Sequence, residues 1–98
     1  MTEYHKTMDN EFFKRADAHI HLSNDQVTEK FGYKKVSASF MFGAARFNTY
    51  ASARELNTHN EMLKAKKAVI EYFVSQYRLM LEENFDDYTD NFDKYMTT

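Results

Sequence analysis

Apolar residues recur every three or four positions along most of this sequence, which is the spacing of one face of an α-helix. The chain contains no Pro and only two Gly, so little in its composition interrupts long helices. The pattern predicts an all-α fold, with three long antiparallel helices and a short C-terminal helix in a bundle-like arrangement. Residues 1–9 are predicted to form a flexible N-terminal tail, and residues 10–98 a single helical domain.

The first helix is predicted to span residues 10–31. Asp9 or Asn10 can cap its start, because a short polar side chain accepts a hydrogen bond from the first free N–H groups. Gly32 is expected to end it in the left-handed conformation that glycine adopts readily. The apolar stripe predicted to face the core comprises Phe13, Ala16, Ile20, Val27 and Phe31.

The second helix, predicted over residues 36–56, is apolar on two sides. One side carries Val36, Phe40, Ala44, Phe47 and Ala51, and the other carries residues that include Phe42, Ala45 and Leu56. A helix that is apolar on both sides is normally buried on both sides. This helix is therefore either the centre of the bundle or shared with another chain.

Gly43 lies inside this second helix, where it costs about 1 kcal/mol relative to Ala. It could leave room for a ligand, or it could permit a close helix crossing within the bundle or a dimer.

A capping-box pattern marks the start of the third helix. Thr58 precedes Glu61 by three positions, and an apolar run follows, which predicts a helix over residues 59–84.

A fourth helix is predicted from Asp86 or Asp87 to Met96. Because an isolated helix this short is marginal, its aromatic stripe must pack on the rest of the chain or on a partner. That stripe contains Phe85, Tyr88, Phe92, Tyr95 and Met96.

Composition excludes several classes of function. With 98 residues the chain holds one domain, and without Cys it has neither disulfides nor thiol chemistry. No stretch approaches the roughly 18 apolar residues that a membrane span needs. The first ten residues lack an apolar signal region, so we expect a cytoplasmic protein without membrane contact.

Charge is unevenly distributed along the chain. The net charge is −2, but residues 82–98 carry six acidic side chains and Lys94 as their single base. Such an acidic end could keep the protein in solution, recruit a basic partner, or support self-association with the mildly basic remainder. It also argues against nucleic-acid binding, which favours a concentrated basic face.

One polar cluster is a candidate site. Asp17, His21 and Asn24 follow one another at i, i+4 and i+7 along the edge of the first apolar stripe. They could form an acid-oriented histidine for proton transfer, or an ordinary helix-surface pair with a boundary Asn. Arg46 is expected to form an ion pair with Asp17 or with a C-terminal acid, and the alternative is a bound anion or a contact with a partner. No set of three convergent metal ligands is evident, so neither a metal nor another cofactor is predicted.

Several longer strings extend over most of the sequence. They are RADA and IHLSNDQ within residues 15–26, KVSASFMF and AARFN within 35–48, and EYF, QYR, MLEEN, DY and NFDKY within 71–95. Together they resemble a family of short proteobacterial proteins of unknown function. The resemblance implies a bacterial, cytoplasmic, stand-alone domain, and it assigns no catalytic residue or ligand.

The leading functional prediction is a protein-interaction module, self-associating and without catalysis, with a homodimer as one possible form. Its candidate interface comprises Phe42, Ala45, Leu56, Tyr88, Phe92 and Tyr95. The alternative is a small-ligand-binding protein or an enzyme with a polar site around Asp17, His21, Asn24 and Arg46.

Overall fold

The computed structural model describes residues 8–97, which form four α-helices and no strand. The predicted all-α class, with three long helices and a short C-terminal one, is confirmed. The predicted flexible tail lies outside the described residues except for Met8 and Asp9. The helices are α1 (Phe12–Gln26), α2 (Tyr33–Ala53), α3 (His59–Asp90) and α4 (Phe92–Met96).

The carboxylate of Asp9 forms hydrogen bonds in the turn that precedes α1. Its Oδ1 accepts a hydrogen bond from the N–H of Glu11 at 2.8 Å. Arg15 donates from Nη1 to the same Oδ1 at 3.2 Å and from Nη2 to Oδ2 at 3.0 Å. The hydrogen bond from Arg15 and that from the Glu11 backbone lower the pKa of Asp9. The N-cap residue of α1 is Glu11, and no side chain of the described residues caps the helix, so the prediction that Asp9 or Asn10 caps it was wrong.

The first helix ends five residues earlier than predicted. Val27 is extended, and Thr28 closes a local turn in which its Oγ1 accepts the N–H of Phe31 at 3.1 Å. The N–H of Thr28 donates in return to the carbonyl of Phe31 at 2.8 Å. Gly32 is also extended and immediately precedes α2, so the prediction that it ends α1 in a left-handed conformation was wrong.

The capping box starts α3 at His59, as predicted. The N–H of Glu61 donates to Thr58 Oγ1 at 3.1 Å, and the Glu61 carboxylate accepts the N–H of Asn57 at 2.9 Å. The helix then continues to Asp90, six residues beyond the predicted end, so the predicted start of the fourth helix lies inside α3.

The described residues form two compact units. The N-terminal unit contains residues 8–63, and in it α1 packs against α2. Val36, only 6% exposed, is its most buried residue, and the rings of His19 and Phe40 lie 6.2 Å apart. Several predicted core residues are exposed instead, Phe13 to 63% and Phe47 to 68%. The half-buried positions on α1 are Phe12, Ala16 and Ser23, and Val27, just after its end, is also half-buried.

The C-terminal unit contains residues 64–97 within the described range. Its most buried residue is Gln76, a polar side chain that is only 6% exposed. The Oε1 of Gln76 is buried and accepts no hydrogen bond from any residue in the described part of the chain. It lies at helical spacing with half-buried Ala65, Val69, Phe73 and Met80.

Candidate interaction surfaces

One side of α2 forms an open, mostly apolar depression, which we call the α2 face: Phe42, Gly43, Arg46, Phe47 and Tyr50. Phe42 and Phe47 are each 68% exposed, and Tyr50 is 57% exposed. Phe42, Arg46 and Tyr50 repeat at i, i+4 and i+8, so Arg46 lies between two aromatic residues along one side of the helix. Of the other predicted interface positions in this unit, Ala45 is exposed and Leu56 is half-buried.

Gly43 lies in open space on this face. A Cβ built at Gly43 would have no atom within 4 Å other than those of its own neighbouring turns. The chain therefore contains no close helix crossing that explains this glycine, among the residues that the structure describes. Its cost to helix stability, about 1 kcal/mol, has no compensating contact with any residue in the range 8–97.

Arg46 has no anionic partner in its own unit. Within residues 8–63, its guanidinium forms no hydrogen bond or ion pair, and the predicted pair with Asp17 is absent. The helix that carries it has two further bases, Lys34 and Lys35, and no acidic residue. The α2 surface is therefore cationic as well as aromatic.

The residues of the predicted polar cluster do not contact one another through hydrogen bonds in the described chain. Asp17, His21 and Asn24 are all exposed on α1, and none is hydrogen-bonded through its side chain to another or to Arg46 within the described chain. The histidine that faces α2 is His19, through its ring contact with Phe40. No group of three or more His, Asp or Glu side chains in residues 8–97 is placed to hold a metal ion.

The C-terminal unit carries a second aromatic surface, which we call the C-terminal face: Leu81, Phe85, Tyr88, Phe92 and Tyr95. Phe85 is 71% exposed, and every other member is at least 38% exposed. The first three repeat at i, i+4 and i+7 on α3. The predicted interface positions on this unit are thus accessible.

The end of α3 and helix α4 are tied together by polar and aromatic contacts. The Tyr95 hydroxyl donates to Asp87 Oδ2 at 3.0 Å, and Asn91 Nδ2 donates to Asp87 Oδ1 at 2.9 Å. The rings of Tyr88 and Tyr95 stack with centroids 4.5 Å apart. Through these hydrogen bonds, Asp87 holds α4 against the end of α3, on the other side of the helix break at Asn91.

The hydrogen bond to Asp87 raises the pKa of Tyr95 above its ordinary value of about 10. A raised pKa means that the bond stabilises α4 below pH 10 and that this contribution is lost as the pH rises through the pKa of Tyr95. We expect Asp87→Asn to return the pKa toward its ordinary value. An NMR titration of the Tyr95 ring resonances measures this shift, and Asp90→Asn, one turn away, is the control. Equal Tyr95 titrations in wild type and Asp87→Asn would contradict the assignment.

A family sequence model identifies the protein family to which this chain belongs. The sequence model of a family described as "Protein of unknown function (DUF3144)" matches residues 12–89, which include α1, α2 and nearly all of α3. The chain belongs to the DUF3144 family. The resemblance to a family of unknown function is thus confirmed, and DUF3144 membership itself assigns no activity.

A solved structure supports the same relationship. This DUF3144 chain is 37% identical to the protein NB7890A from Shewanella sp., whose structure was determined by NMR. The match has a TM-score of 0.72 and covers 90% of this chain and 93% of the other. No curated protein matches the sequence. Within the described residues, no helix is both long and apolar enough to cross a membrane.

The sequence prediction missed two members of the α2 face. Tyr50 was not singled out, and Gly43 was considered apart from the residues around it. The i, i+4, i+8 spacing of Phe42, Arg46 and Tyr50 contains the signal that would have identified the face. It was missed because the apolar stripe through Phe47 was expected to be buried in the core.

Proposed function

We propose that this chain is a helical protein-interaction module that associates with a second copy of itself through the α2 face. The observation that carries the proposal is the exposure of Phe42, Phe47 and Tyr50 around Arg46, which has no ion-pair partner within residues 8–63. Aromatic residues and Arg are enriched at the energetic centres of protein interfaces, whereas large contiguous apolar patches are rare on monomers.

The glycine on the α2 face supports the same function. An exposed helix interior favours Ala over Gly, yet Gly43 has open space above it. A second chain approaching closely at this position would give the missing side chain a physical reason, because only Gly lets another backbone or a bulky ring come that near.

The competing proposal of a ligand site or enzyme has no supporting contact. It requires Asp17, His21, Asn24 and Arg46 to converge, and within residues 8–97 no hydrogen bond joins any two of these side chains. A bacterial origin and a cytoplasmic location belong to the proposal as expectations from the sequence.

The test is the mass in solution, measured by light scattering during size-exclusion chromatography over a series of concentrations. We expect a dimer, and we expect Phe42→Ser to weaken it at least tenfold, because a buried aromatic anchor contributes 2 kcal/mol or more. Phe13→Ser on α1 is the matched control, since Phe13 is 63% exposed and lies off the α2 face. A wild-type monomer at all concentrations contradicts the proposal.

Gly43→Ala provides a second measurement with opposite expected effects. On helix propensity alone, the substitution stabilises the folded chain by about 1 kcal/mol. If a second chain approaches Gly43 closely, the same methyl group weakens dimerisation. Greater helix stability together with tighter or unchanged association would contradict a close approach at this residue.

A further inference from the structure

We infer that the α2 face binds the acidic, aromatic C-terminal segment of a second copy of this chain, residues 81–96, which carries the C-terminal face. This inference rests on the proposed self-association and names the two surfaces that meet. In a symmetric dimer the contact occurs twice, because the α2 face of each copy receives the C-terminal segment of the other.

Charge complementarity is the first argument. Helix α2 carries Lys34, Lys35 and Arg46 without any acidic residue. The C-terminal segment carries six acidic side chains against Lys94 as its one base. Opposite potentials favour this pairing, whereas α2 against α2, or one C-terminal segment against the other, places like charges together.

The local geometry gives Arg46 specific candidates for its partner. Glu82 and Asp86 each follow a residue of the C-terminal face, Leu81 and Phe85, so one row of carboxylates borders the apolar row. Asp87 is already occupied by Tyr95 and Asn91. In this pairing, the aromatic residues of the α2 face pack on the apolar row of the C-terminal face. Arg46 then lies near the carboxylates that border that row.

The exposed areas of the two faces are similar. Given the usual 150–250 Å² of a large aromatic side chain, Phe42, Phe47 and Tyr50 expose roughly 400 Å² at their observed exposures. On the same basis, Phe85, Tyr88 and Phe92 expose roughly 350 Å². Together the two faces supply about the 800 Å² per partner that a standard protein interface buries.

Reciprocal charge reversal tests the pairing. We expect Arg46→Glu to weaken dimerisation at least tenfold, and Glu82→Lys/Asp86→Lys to do the same, each measured by sedimentation equilibrium. All three residues are exposed, so circular dichroism of each variant should show the wild-type helix content. An equimolar mixture of the two variants should recover the wild-type dimer, because both contacts of the mixed dimer then join opposite charges.

The outcomes separate this inference from the proposed function. If wild type dimerises and the reversals do not weaken it, or the mixture does not recover it, self-association stands and the assigned surfaces are wrong. If wild type is monomeric, both proposals fail. Recovery in the mixture, with each variant alone monomeric, supports the pairing.

A spin-label experiment shows whether the contact is between chains. The chain has no Cys, so Ala38→Cys beside the α2 face creates a unique attachment point for a nitroxide. Mixed with unlabelled ¹⁵N-enriched wild type, the labelled chain should broaden amide signals of residues 81–96 in the enriched chain. If the broadening appears only when the spin-labelled chain itself carries ¹⁵N, its own C-terminal segment occupies the face, and the inference is overturned.

Discussion

Val36→Asp should unfold the N-terminal unit at neutral pH. Val36 is only 6% exposed, and it is the single apolar residue buried to this degree in the described chain. The substitution removes roughly 1.5–3 kcal/mol of apolar burial. It also places a carboxylate at a buried position, and an uncompensated buried charge costs about 3–5 kcal/mol. The sum is comparable to the whole stability of a small domain, which is about 5–15 kcal/mol.

Ser37→Asp is the matched control for this prediction. Ser37 is the next residue on the same helical turn and is exposed, so the added charge has the same helix position without the burial. We expect its Tm to stay within a few degrees of wild type, while Val36→Asp loses the helical signal of α1 and α2. Circular dichroism gives the Tm, and amide hydrogen exchange assigns the loss to those helices. Equal Tm values for the two variants would show that Val36 does not anchor the pair.

Gln76→Leu should stabilise the C-terminal unit. The buried Oε1 accepts no hydrogen bond from the described residues, and an unsatisfied buried polar group costs about 1–3 kcal/mol. Leu has a similar volume and no polar atom, so it removes that cost and preserves the packing with Val69 and Phe73. A gain of about 1 kcal/mol raises the Tm of a chain this size by roughly 4–8 °C.

Gln76→Glu should have the opposite effect with a defined pH dependence. Burial disfavours the charged carboxylate and raises its pKa above the unfolded value of about 4.3. The destabilisation is therefore absent at acidic pH and develops as the pH rises above that value.

Ser75→Leu, at an exposed neighbouring position, is the control for Gln76→Leu. A lower Tm for Gln76→Leu would mean that the amide makes a compensating contact.

The start of α3 was predicted at the correct residue, whereas α2 begins three residues before the predicted Val36 and the ends of α1 and α3 were misplaced. Thr58 and Glu61 specify the start of α3 through local side-chain hydrogen bonds, which a sequence pattern contains directly. The end of α1 was predicted at Gly32, but the helix ends at Gln26. The turn that follows it is closed by Thr28, whose hydroxyl accepts the N–H of Phe31. Asp87 looked like the start of a helix, but its carboxylate accepts from Asn91 and Tyr95 near the end of α3 instead.

Core positions were harder to predict than the helices themselves. Periodicity identifies which residues share a face, but it does not say which apolar face is covered. Phe47 and Val36 belonged to the same predicted stripe, yet one is 68% exposed and the other 6%. Gln76 was not predicted to be buried at all, because a polar residue carries no apolar signal. The candidate polar cluster depended on contacts between helices, which spacing along α1 alone cannot supply.

The small number of deeply buried residues has a consequence for the life of the protein in a cell. Val36 and Gln76 are the two described positions with the least exposure, and one of them is polar. In the proposed dimer, association adds to the stability of the folded chain, so the folded fraction rises with the number of copies present. Newly made chains at low abundance would then be open to proteases, and accumulation would protect them. The steady-state level would consequently respond to changes in synthesis more steeply than in proportion.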